Sequence, residues 1–118
     1  MVATTMSHTD TVQAIEREIQ HSKELFELGK GLERLRSNRD FKKIMVEGYL
    51  EQECIRLVLL KADQNMQSVE KQASIVKQMD AIGAVNQYFQ TVMVKAAMAE
   101  KSLVADEHER ELLIAEGI

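Results

Sequence analysis

From Ser68 to about Ala115 the chain runs for nearly fifty residues without a proline, and Gly83 is the only glycine among them. Within this stretch Ile82, Val85, Phe89, Val92, Ala96, Ala99 and Leu103 recur at alternating steps of three and four, the heptad spacing of a packed helical seam. The spacing predicts one long helix over 68–115. At about 1.5 Å per residue it would reach roughly 70 Å, more than the width of a compact globule of this mass. Part of such a helix is expected to project from its own domain, with its stripe shielded by another chain. The seven seam residues, flanked by Met93 and Met98, are therefore the predicted protein-contact surface.

The remainder of the chain reads as two shorter helical segments. Zero prolines, five glycines and 4% aromatics are a helix-rich skew, and 118 residues suffice for one modest core. The expected fold is all-α: an antiparallel three-helix unit forming a single domain over 10–118, preceded by a flexible arm over 1–9. Asp10 offers an N-cap that Gln13 can close into a box, so the first helix is placed at about 11–36. Val12, Ile15, Ile19, Ser22, Phe26 and Gly29 mark one stripe of it; Leu25, Leu28, Leu32 and Leu35 mark a neighbouring one. Gly29 and Gly31 each cost a helix about 1 kcal/mol relative to Ala, which a close helix crossing would justify. Ser37 or Asn38 can cap the second segment, placed at 39–62 with a break near Gly48. Its second half is apolar around most of its circumference from Cys54 to Leu60, so it is expected to be the most buried helix. Ser68 caps the long helix after a short loop. Near its end, ADEHERE (105–111) reads as a solvated span or a fraying tail before Leu112, Leu113 and Ile114.

Several chemistries lose their footing at this level. The formal charge of −4 argues against a sequence-independent grip on nucleic acid as the main partner. The longest aliphatic run, Leu57 to Leu60, is too short to span a membrane, and MVATTMSHTD lacks the features of an export signal. Cys54 is the single cysteine, so no intrachain disulfide can form; its apolar neighbours favour a packing role over a nucleophilic one. His8, His21 and His108 lie in different segments, and HERE at His108 lacks the second histidine of a zinc-binding helix. GKG at Gly29 to Gly31 does not follow a strand and is no phosphate loop. Glu47, Glu51 and Glu53 could gather near Gly48, although solvated helix charges are the plainer account of them. Lys23, Lys30, Arg34, Arg36, Arg39, Lys42 and Lys43 are interleaved with Glu24, Glu27, Glu33 and Asp40, as on a salt-bridged surface. No catalytic, cofactor or metal site is assigned from the sequence, and no enzymatic activity is expected.

With this pattern laid out, SNRDFKKIMVEGYLEQECIRLVLLKAD (Ser37 to Asp63), MDAIGAVNQYF (Met79 to Phe89) and the acidic helical tail resemble a family of small helical proteins encoded among tailed-bacteriophage morphogenesis genes. The likeness spans roughly Leu32 to Gly117 and departs from the family pattern at Arg39 and Gln64, where proline is expected. It implies a structural or assembly component of the virion, assembled in the host cytoplasm. The long helix would dock on a portal, tail or capsid ring, with other virion proteins and copies of itself as partners. The alternative reading is a free phage-encoded regulatory or inhibitory protein acting on a host factor.

Overall fold

The computed structural model describes residues 7–116, and all regular structure among them is helical. Helix α1 (His8–Ser37) is followed by the short α2 (Arg39–Phe41), which passes through a π-helix (Lys42–Gln52) into α3 (Glu53–Ala62). A 3₁₀ turn (Gln64–Met66) leads to α4 (Val69–Glu116), 48 residues long and unbroken at Gly83. The architecture is all-α and antiparallel with a long C-terminal helix, as the periodicity predicts.

Local chemistry explains where these elements start. The cap of α1 is Ser7, upstream of the expected Asp10: its hydroxyl accepts the Asp10 N–H at 3.1 Å and its carbonyl accepts the Thr11 N–H at 2.9 Å. Asp10 thus sits inside the first turn, where a carboxylate complements the helix dipole. Of the arm expected over 1–9, residues 1–6 lie outside the described residues, and His8 and Thr9 are already helical. Asn38 is the second cap, its Oδ1 accepting the Phe41 N–H at 3.0 Å. Ser68 launches α4, accepting the Lys71 N–H at 3.2 Å. The orphan carbonyls at the end of α3 are met by two glutamines: Gln67 Nε2 donates to Lys61 O and Asp63 O, and Gln72 Nε2 donates to Lys61 O and Met66 O.

Gly48 does not break the second segment. The backbone stays right-handed there, and the turn widens to π geometry, with the Glu53 N–H donating to the Gly48 carbonyl five residues back. The apolar spacing accounts for this. Phe41, Met45, Tyr49 and Leu50, and Cys54 recur at steps of four to five, which would wander around a 3.6-residue α-helix but stay on one side of the wider turn. A Cβ on Gly48 would lie 3.1 Å from the Lys43 carbonyl, a tight contact with backbone.

The described residues fall into two compact units, each with its own core. The first pairs the part of α1 up to Lys30 with α4 from Val92 onward, and buries Ile19, Ser22, Gly29, Val92, Ala96 and Ala99. Gly29 meets Ala96 here, while Ser22 and Glu18 lie by Ala99 and Ser102, so the two segments run antiparallel. Asp106, Glu107, Arg110 and Leu113 are half-buried, so the charged stretch continues the seam instead of leaving the helix to fray.

The second unit, Gly31–Thr91, centres on Leu57, Ile75 and Ile82, with Tyr49, Leu50, Cys54, Leu60, Met66 and Met79 packed around them. Phe41 meets Phe89 edge-on at 6.2 Å between ring centroids, and the Arg36 guanidinium lies 5.7 Å from the Phe89 ring. Here the expectation of a deeply buried second helix is corrected. Leu57 is enclosed, but Ile55, Val58 and Leu59 are 54%, 55% and 68% exposed. A single neighbouring surface can cover only one side of α3, and four apolar residues in a row necessarily point in four directions.

Two stability predictions arise from this packing. A Cβ added to Gly83 meets nothing within 4 Å, so Gly83→Ala is expected to stabilise the protein by about 0.5–1 kcal/mol through helix propensity, read as a rise in the urea midpoint. On α3, Arg56 Nε donates to both Glu53 carboxylate oxygens, at 3.1 and 3.0 Å. These hydrogen bonds lower the Glu53 carboxyl below its ordinary 4.5; desolvation opposes them and the Arg56 charge adds to the lowering. A depressed carboxyl stabilises the fold above its unfolded pKa and loses that contribution as pH falls through the folded one. Because the pair is solvated, Glu53→Gln is expected to leave the midpoint at neutral pH unmoved and to alter the pH dependence only below about pH 4.5.

Candidate binding groove

The seam proposed as a contact surface is divided between the two cores. Ile82 is buried in the Gly31–Thr91 unit and Val92, Ala96 and Ala99 in the other; Val85, Phe89, Met93 and Leu103 are half-buried. Only Met98 is open, at 63% exposure. This corrects the reading of the stripe as free surface. The heptad spacing reports that these residues share a helix face, and the chain's own segments cover that face.

The Gly31–Thr91 unit contains a half-open cavity of about 500 Å³ instead, within the size range of ligand sites. One wall is built by Val46 and Leu50 of the π-helix and by Cys54 and Val58 of α3. Three steps of four keep these side chains in line because the widened turns offset the drift of the α-helical ones. The opposite wall is Met79, Ile82 and Gly83 of α4, and the absent side chain at Gly83 leaves it open. Arg36 and Lys42 supply cations, while Glu51 lies about two helical turns beyond Lys42 beside the same space, and Asn86 adds an amide.

Arg36 is the electrostatic feature of this groove. Its Nε is buried without a hydrogen-bond partner, and no described residue forms an ion pair with it. The guanidinium carbon stands 5.7 Å from the centre of the Phe89 ring, within cation–π range. A buried donor without a partner costs about 1–3 kcal/mol. Of the residues singled out from sequence, Glu51 and Cys54 reach this groove, Glu53 pairs with Arg56, and Glu47 is exposed. His8, His21 and His108 are exposed as well. A smaller cavity of about 290 Å³ in the first unit has His21, Lys95 and Met98 on its wall.

Among the described residues no three histidine, cysteine or acidic side chains stand close enough to hold a metal, and no helix is long and apolar enough to cross a membrane. The groove itself was not legible in the sequence, since Arg36, Lys42 and Gly83 meet only through packing. The one available signal was the four-residue repeat Val46, Leu50, Cys54, Val58. No family model, curated protein or solved structure matches the chain.

Proposed function

We propose that the protein is a non-enzymatic structural or assembly component of a tailed-phage virion that docks on a portal, tail or capsid ring. The observation that supports this reading is the apolar stripe left open on α3: Ile55, Val58 and Leu59 are each more than half exposed and, with Ala62, fall at helical spacing along one side. The resemblance of Ser37 to Asp63 to morphogenesis-region phage proteins covers the same segment. Docking is assigned to this stripe, because the long-helix seam is occupied within the chain.

Mass spectrometry of purified virions, together with binding of the purified protein to particle proteins, tests the reading. The protein is expected in the particle, and Ile55→Asp with Leu59→Asp should weaken docking by about tenfold or more while leaving thermal unfolding unchanged. A protein missing from virions and assembly intermediates, or docking indifferent to both substitutions, would overturn it.

A further inference from the structure

We infer that the cavity of the Gly31–Thr91 unit binds a small aliphatic monocarboxylate, with the carboxylate at Arg36 and Lys42 and the chain along Val46, Leu50 and Cys54. The walls give the site a direction. Phe41 meets Phe89, and the chain reverses between Ala62 and Val69, so the two walls run antiparallel. Lys42 and Asn86 are each within one turn of that ring pair, and Arg36 stands 5.7 Å from Phe89, so the three share one end. Val58 and Met79 form the other end, nearer the reversal. One end thus carries two cations and an amide, and the other only apolar side chains.

Charge selects the head group. Arg36, Lys42 and Glu51 are the charged side chains on the wall, and two cations less one carboxylate leave a net charge of +1. Neither Lys42 nor Glu51 forms an ion pair among the described residues, so Glu51 does not tie up the cations. Glu51 lies nine residues beyond Lys42, beside the apolar part of the wall, where it repels an anionic head group and so orients the ligand toward Arg36. A monocarboxylate brings the site to neutrality, whereas a phosphate monoester, at about −1.5 to −2 near neutral pH, overshoots it. Arg36 makes no hydrogen bond to a described residue, so a carboxylate oxygen at its guanidinium adds a charge-assisted bond without displacing one.

Gly83 is the independent sign of an occupant. It carries glycine's helix-propensity cost inside a 48-residue helix, and no packing contact accounts for it, because an added Cβ meets nothing within 4 Å. What the bare backbone does provide is room in the cavity wall for a chain to lie against α4. The half-open volume of about 500 Å³ suits a ligand of this size.

Decanoate titrated calorimetrically into the full chain tests the inference, with decan-1-ol and decylamine as chain-matched controls. Saturable one-to-one binding of decanoate is expected, with both controls weaker by about tenfold or more. Arg36→Gln and Lys42→Gln should each weaken decanoate by about fivefold or more while leaving decan-1-ol within about twofold, a split that a general loss of packing does not produce. Gly83→Phe fills the cavity at a position where an added Cβ meets nothing, so it should abolish decanoate binding while the helical spectrum is kept. Saturating decanoate should also slow alkylation of Cys54 by iodoacetamide by about fivefold or more, a readout that needs no variant. The inference is overturned by any of five results: no saturable binding of decanoate, decan-1-ol binding as tightly, indifference to both charge substitutions, Gly83→Phe without effect, or an unchanged rate of Cys54 alkylation. Ile55 and Leu59 do not line the cavity, so Ile55→Asp with Leu59→Asp should leave decanoate binding intact, which separates failure of the docking reading from failure of this one.

Discussion

Leu57→Ala is expected to lower the stability of the Gly31–Thr91 unit by about 2–5 kcal/mol, a large share of the roughly 5–15 kcal/mol that holds a typical domain together. Leu57 is fully enclosed, packed with Ile75 and Ile82, which retain only 1% and 3% exposure. Truncation removes about three carbons of transfer energy and leaves a cavity walled by helical backbone on two sides, which cannot collapse freely. The control is two residues away. Leu59, of the same type and on the same helix, is 68% exposed, so Leu59→Ala is expected to change stability by less than about 0.5 kcal/mol. Urea unfolding followed by circular dichroism measures both. Equal losses at the two positions would show that α3 is oriented differently from this description.

Gly29→Leu is the second large effect, and its cause is the opposite one. A Cβ on Gly29 would stand 2.3 Å from the Ala96 Cβ and 3.8 Å from its Cα, so the contact is set by the α4 backbone and not by a flexible side chain. Leucine at this position must push the two antiparallel segments apart, at a cost of about 3 kcal/mol or more, the upper end of overpacking. Even Gly29→Ala, which gains about 1 kcal/mol of helix propensity, should be destabilising on balance. Moving the methyl group across the contact is the critical measurement. Gly29→Ala combined with Ala96→Gly conserves the volume, and the double variant should come back to within about 1 kcal/mol of the parent. If both single variants are neutral, the close approach is not what holds this unit together.

Gly29 and Gly83 show how far sequence reasoning reaches. Both are helix-interior glycines with the same local cost. One is held in place by an opposing alanine, and the other faces empty space beside the groove. Nothing in the neighbouring residues distinguishes them, because the difference lies in a segment tens of positions away. Likewise Leu57 and Leu59 are interchangeable in composition and hydropathy, and only the direction of the α3 face separates a core residue from a surface one. The π-helix stands between these cases. A break was expected at Gly48 from the glycine alone, whereas a continuous wide turn satisfies both the apolar spacing of four to five and the backbone hydrogen bonds.

By itself the sequence determined what depends on neighbours along the chain: the helical class, the extent of α4, the cap at Ser68, the narrowing of the second cap to Ser37 or Asn38, and the set of residues sharing the seam. Those follow from propensity, hydrogen-bonding side chains and periodicity, all of which act within a turn or two. The tertiary structure alone decided which surface each face meets. It turned the seam of α4 inward against the chain's own segments, left Ile55, Val58 and Leu59 open, and placed Arg36 without an acceptor beside the gap at Gly83. Periodicity specifies that a face is apolar, while its partner is selected by packing between segments distant in the chain, and that information is carried by the whole fold and by no single stretch of it.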